Sequence, residues 1–150
     1  MRKLGIAFAG LLLLLALPAL AGSDPNDVEG SSDYPLFGRM PNFHISSYDD
    51  KDFDAAEFAS KEQPVTVEGR KITIYYRLNE GAKAPSNVEI QRNYRAVLKK
   101  AGAEIVHEEN AETVAKLTKD KQEIWFEVSS SPQAIDLTIV EQGEFKQKIE

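Results

Sequence analysis

From Ile72 to Leu78 apolar and polar side chains alternate, with Ile72, Ile74, Tyr76 and Leu78 on one side of an extended chain and Thr73, Tyr75 and Arg77 on the other. This is the period-two pattern of a half-buried strand, and Val65 to Glu68 reads as its partner in a strand pair turning at Glu68-Gly69-Arg70. The period then changes. Ser86-Asn87-Val88-Glu89 matches a capping box, in which the Ser86 hydroxyl accepts from the Glu89 amide and Glu89 reaches back to the Ser86 amide. Beyond it Ile90, Tyr94, Val97, Leu98 and Ala101 recur at helical spacing, while Arg92, Arg95 and Lys99 take the outer face. Lys99 and Lys100 complement the negative end of the helix dipole, and Gly102 follows as a left-handed cap. The pattern predicts one main helix over about 86–101.

Three more strands are predicted at Ala103 to His107, Ile124 to Val128 and Ile135 to Val140, with Lys119 to Gln122 as a turn. The stretch from Ala111 to Thr118 fits either element, because Val114 and Leu117 suit a helix while Thr113, Ala115 and Leu117 alternate. Strand is preferred, since the turn and strand that follow complete a hairpin. The segment Tyr34 to Tyr48 is rich in apolar rings, but Pro35, Gly38 and Pro41 forbid a regular helix there. The expected fold is therefore α+β: a mostly antiparallel sheet packed by one main helix, with an irregular aromatic N-terminal segment across the core. The tail from Gly143 to Glu150 reads as a short helix or an extended run.

The first residues alter the picture of where such a domain works. Arg2 and Lys3, an apolar run from Leu4 to Leu17 and Ala19-Leu20-Ala21 form a secretory signal peptide over 1–21 with an A-x-A cleavage site. The run is shorter than the roughly 20 residues that span a bilayer, so no membrane span is expected after cleavage. Residues 22–33, rich in Gly, Ser, Asp and Pro, read as a flexible acidic leader, and 34–150 as a single domain. The chain has no cysteine, which excludes disulfides, thiol catalysis and cysteine-ligated metals. Its formal charge is −6, and loss of Arg2 and Lys3 takes the mature part to −8. With no long basic cluster, nucleic acid is not an expected partner.

The catalytic and metal patterns along the chain are incomplete. Asp50, Asp52 and Asp54 occupy the first, third and fifth places of a calcium loop, but Ala55 stands where its glycine belongs and Lys61 where its bidentate Glu belongs. A solvated acidic loop is the plainer reading. His44 and His107 lack partners at metal-binding spacing, and no serine lies in a nucleophile motif. Adjacent carboxylates such as Glu108-Glu109 point apart on a loop rather than flanking a glycosidic bond. The expectation is no enzyme, no metal and no cofactor. What remains is a candidate recognition surface of Arg39, Arg92, Asn93 and Trp125, in which Arg39 and Arg92 together hold an anionic group. Each also has a structural explanation: Arg92 solvated, Asn93 bonded locally, Trp125 covering a sheet face.

The run Asp33-Tyr34-Pro35-Leu36-Phe37-Gly38-Arg39-Met40-Pro41, with Ile45-Ser46-Ser47-Tyr48 and Phe53-Asp54, is distinctive as a set. Together with Val67 to Lys71, Ile90 to Tyr94 and Leu137 to Glu141, it resembles the poorly characterised domain that precedes the peptidoglycan-binding domain in many OmpA family proteins. The resemblance covers about 33–147. It implies a periplasmic location, with outer-membrane association, and no catalytic residue. Wall attachment is not implied, because the sequence stops at Glu150 before a wall-binding domain begins. The function expected is a non-enzymatic cell-envelope module that binds an envelope protein or cell-wall component. The alternative is a small-molecule or lipid carrier, with Phe37, Phe43, Tyr48, Phe53 and Phe58 forming one wall of an apolar pocket.

Overall fold

The computed structural model describes residues 23–150, so the signal peptide expected over 1–21 lies outside the described residues. The elements in chain order are β1 (Phe43–Phe58), β2 (Val65–Leu78), α1 (Asn87–Lys100), β3 (Glu104–Glu108), β4 (Glu112–Lys119), β5 (Gln122–Ser131) and β6 (Ala134–Gln142). Six strands form one sheet in the order β1-β2-β6-β5-β4-β3, with every neighbouring pair antiparallel. After the β1–β2 hairpin, α1 carries the chain to the far edge, and β3 to β6 meander back until β6 lies against β2. The ambiguous stretch is strand β4. Its hairpin to β5 turns on Asp120 and Lys121, whose φ angles of 50° and 64° match the twist of the strands they join.

Alternation along the strands divides the buried side chains between two faces. On the helix side Ile72, Ile74 and Tyr76 of β2, Ile135, Leu137 and Ile139 of β6, and Phe126 and Val128 of β5 meet Ile90, Tyr94 and Leu98 of α1. The helix starts as its sequence requires: the Ser86 hydroxyl accepts from the Glu89 amide at 3.1 Å. At its end Gly102, at φ 90°, donates to the carbonyl of Lys99. Two positions of the helical pattern differ from expectation. Val97 is 38% exposed, and its place in the seam is taken by Gln91, which is 1% exposed. Gln91 is accommodated because its amide donates to the Val128 carbonyl and Ser130 hydroxyl, and accepts from Thr113 at 2.7 Å. Arg95 leaves the outer face as well, donating to Thr113 Oγ1 and to the carbonyls of Glu109 and Glu112.

The N-terminal half departs most from the expectations. β1 is 16 residues long, so Phe43 to Tyr48 and the acidic run Asp49 to Asp54 are strand rather than irregular chain and loop. The carboxylates are held across the pairing, Asp50 by both ends of the Arg70 guanidinium at 2.9 and 2.7 Å and Asp54 by Lys71 at 3.3 Å. Nor do Val65 to Glu68 and Ile72 to Leu78 form a pair around Gly69; they are one strand running through it. A Cβ on Gly69 would overlap the carbonyl oxygen of Glu141 and lie 2.7 Å from the amide nitrogen of Gly143. Opposite it β1 is irregular between Lys51 and Asp54. The hairpin tip beyond this point reaches the second face of the sheet, where Phe58 and Val67 are buried with Val114, Trp125 and Val140.

The leader expected to be flexible is tied down by its own carboxylates. Asp27 accepts from the Ile45 amide at 2.7 Å, Val28 donates to the Ile45 carbonyl at 3.0 Å, and Asp24 accepts from the Asn79 side chain at 2.8 Å. These bonds cover the outer edge of β1 at Ile45, where an unpaired strand edge is otherwise open to another chain.

Candidate functional site

The tight turns at Pro35 and Pro41 bring the N-terminal segment across α1 and the helix-side face of the sheet. Phe37 stands edge-on to Tyr94 and Phe126, at centroid distances of 5.9 and 5.4 Å, and Tyr34 meets Phe126 at 5.9 Å. Such edge-to-face pairs add about 0.5–1.5 kcal/mol each to their burial. With Phe37 and Met40 anchored, residues 37–41 leave a crevice of about 180 Å³ against Asn93, Tyr94 and Val97.

Behind one wall lies a buried ionic cluster. Arg39 Nη1 lies 2.6 Å from Asp27 and Nη2 lies 3.1 Å from Asp33, with only 10%, 14% and 5% of the three side chains exposed. The guanidinium also sits 5.5 Å from the centre of the Tyr76 ring, and Tyr76 donates its hydroxyl to Asp33 at 2.6 Å. Burial opposes ionisation of Asp27, but the Arg39 hydrogen bond and the amides of Asp24 and Ile45 outweigh it and hold its pKa below the ordinary value. Burial likewise works against the Arg39 charge, and the two carboxylates more than restore it. The Tyr76 hydroxyl is shifted upward, first by burial and then by its bond to Asp33. Tyr94 is shifted upward by burial and the Asp33 charge, and its buried hydroxyl has no partner among the described residues.

The four candidate recognition residues are separated by this geometry. Arg39 and Asn93 line one crevice, but Arg39 is committed to two aspartates, so it does not share an anion with Arg92. Arg92 is exposed on α1, and Asn93 donates to the Glu89 carbonyl at 2.8 Å. Trp125 lies on the other face of the sheet, stacked at a tilt on Phe58 at 5.6 Å, with its indole N–H donated to Glu123 at 3.0 Å. The aromatic residues proposed as one pocket wall are divided too. Phe37 and Phe43 belong to the helix-side core, Phe58 to the opposite cluster, and Phe53 contacts Phe145 of the tail at 5.5 Å.

Asp27 and Asp33 escaped the sequence reading because acidic residues in a Gly/Ser-rich stretch look solvated. The sign of a partner was the single Arg39 among the rings that follow. Gln91 was detectable as a polar residue three before Tyr94 and seven before Leu98, in the helix seam. His44 and His107 lie on β1 and β3, the two edges of the sheet, about 24 Å apart at 4.8 Å per strand, and do not meet. Among the described residues no three His, Cys, Asp or Glu side chains are grouped to hold a metal ion. No helix among them is long and apolar enough to cross a membrane. Neither the protein-family models nor the curated proteins compared with the chain match it.

Proposed function

We propose that the chain is a non-enzymatic binding or adaptor module of the periplasm, similar to the domain that precedes the wall-binding domain in OmpA family proteins. The observation that carries this reading is the crevice between residues 37–41 and α1. It is formed by the same Asp33 to Pro41 run on which the resemblance rests, and its walls are fixed from behind by the Arg39–Asp27–Asp33 cluster. A rigid, shallow, partly apolar recess suits recognition of part of a larger partner. At about 180 Å³ it is smaller than the roughly 300–1,000 Å³ of cavities that enclose small ligands, which argues against a lipid carrier. The larger depression of about 920 Å³ beside the tail is lined by Phe53, Phe145 and Ile149 together with charged groups such as Lys51, Asp52, Arg70 and Lys148. Phe145 and Ile149 are 69% and 81% exposed, so this is an open surface depression rather than an enclosing cavity.

The test is expression of the full chain in a Gram-negative bacterium, fractionation, crosslinking in the envelope and mass spectrometry of what is recovered. The expected result is a periplasmic product crosslinked repeatedly to one envelope protein or wall fragment. Recovery of a recurrent lipid or small molecule without a macromolecule contradicts it.

A further inference from the structure

The leader is fastened to the body by few bonds, nearly all of one kind. None of residues 24–32 is buried, and Val28, the most apolar of them, is 38% exposed, so the leader adds no side chain to either core. Among the described residues its hydrogen bonds to the body are the Val28 amide on the Ile45 carbonyl and bonds accepted by two carboxylates. Asp24 accepts from the Asn79 side chain at 2.8 Å; Asp27 Oδ1 accepts from the Ile45 amide at 2.7 Å and from Arg39 Nη1 at 2.6 Å. Asp27 Oδ2 also takes the Asp24 amide at 2.9 Å, which folds the leader on itself. Firmer attachment begins at Asp33, held by Arg39 and the Tyr76 hydroxyl, and at Tyr34, which is 9% exposed.

We propose that residues 24–32 are a strap that acid releases as a unit, opening the β1 edge at Ile45 while the sheet and α1 stay folded. A segment with no buried apolar group opens at little cost once its polar contacts are lost. The charged groups about Asp27 are Arg39, Asp33 and Asp24, with Tyr76 of β2 donating to Asp33. Burial pulls the Asp27 pKa upward, but the Arg39 bond and the amides of Asp24 and Ile45 prevail; for Asp24 the Asn26 amide and then the Asn79 bond act. Both folded values lie below 3.8, so the fastening is complete above 3.8 and is lost as pH falls through the folded values. His44 of β1 lies 2.7 Å from Asn79 by Nδ1; a proton on its ring adds positive charge beside the Asn79–Asp24 bond and does not release it. On release Arg39 keeps Asp33, and the amide and carbonyl of Ile45 become open to an incoming strand.

The test is amide hydrogen exchange and ¹⁵N relaxation of the labelled protein across the acid range, with exchange corrected for the intrinsic effect of pH. On acidification through the folded pKa values the Ile45 amide should lose about tenfold or more protection relative to the amides of Val128 and Leu137 in the central strands. Residues 24–32 should gain fast motion while the emission of Trp125 stays unchanged. Asp27→Ala should produce the same released state at neutral pH. Asp50→Ala, which removes a carboxylate held by Arg70 farther along β1, should leave Ile45 protected there. Loss of protection at Ile45 only together with Val128 and Leu137, or a leader still ordered after acid has protonated its carboxyls, overturns the proposal. So does an Asp27→Ala protein whose Ile45 amide is as protected as before.

Discussion

The two faces of the sheet are closed by different means. The helix-side face is covered by α1 and the N-terminal segment, with a continuous set of buried side chains from Tyr34 to Ile139 and an ionic cluster at its rim. The opposite face has one small buried group, Phe58, Val67, Val114, Trp125 and Val140, and it is closed only where the β1–β2 hairpin reaches it. Beyond that group it presents Thr73, Tyr75, Glu127 and Asp136, none of them fully buried. The first face depends on separate elements meeting over the sheet, the second on a single glycine that lets two strands approach. The proposed recognition site is on the first face, where two elements meet and leave a recess.

The largest expected effect tests the rim. Arg39→Ala leaves Asp27 and Asp33 charged and uncompensated at low exposure, and should lower unfolding free energy by about 3–5 kcal/mol in urea titration. A loss below about 1 kcal/mol would break the claim that the leader and segment are fastened there. Next is Gly69→Ala, whose Cβ has no room beside Glu141 and Gly143. It should cost about 1–3 kcal/mol and shift the emission of Trp125, the only tryptophan, to the red as Phe58 draws away. An unshifted spectrum would show that the glycine does not govern the second face. Tyr76→Phe removes a hydrogen bond to the Asp33 carboxylate and should cost about 1.5–3 kcal/mol. Tyr94→Phe removes only a buried hydroxyl without a protein partner, and is expected to change stability by less than about 0.5 kcal/mol or to raise it.

The pH dependence separates the faces further. Glu127, on the second face, has its pKa raised, mainly by burial and then by the Glu112 charge. Its folded pKa exceeds the unfolded value near 4.5, so its contribution favours folding below that value and is lost as pH rises through the folded pKa. Glu127→Gln should therefore stabilise most at neutral pH and hardly at all at pH 4. Asp27 and Asp50 act in the opposite sense: burial against the stronger Arg39 and amide bonds for Asp27, and the Arg70 bond above all for Asp50, lower their pKa values. Their contribution is present above the unfolded value of 3.8 and is lost on acidification through the folded values. Arg39→Ala should flatten the acid limb of the stability curve, and Glu127→Gln the neutral limb.

What was legible in the chain follows this division. The helix, its cap at Ser86, and β3, β5 and β6 came from local pattern, whereas β4 was ambiguous by period and was read as strand from the hairpin it forms with β5. β1 was not readable. Its polar stretch Asp49 to Asp54 is strand because Arg70 and Lys71 hold its carboxylates across the pairing, a fact fixed by register rather than composition. Gly69 looked like a turn because a glycine between two short strand patterns fits a hairpin as well as it fits a strand that another backbone approaches closely. Arg39 and Asn93 line one recess, but the pairing of Arg39 with Asp27 and Asp33 was not readable, because those aspartates lie in a leader that composition marks as flexible.

The central claim, that recognition belongs to the helix-side crevice, is tested most directly by placing a photoreactive phenylalanine analogue at Val97 or at Tyr75. Both positions are exposed, at 38% and 37%, and they lie on opposite faces. Irradiation in the envelope should produce one discrete macromolecular adduct from Val97 and none from Tyr75. The same adduct from both positions, or an adduct from Tyr75 alone, contradicts the account.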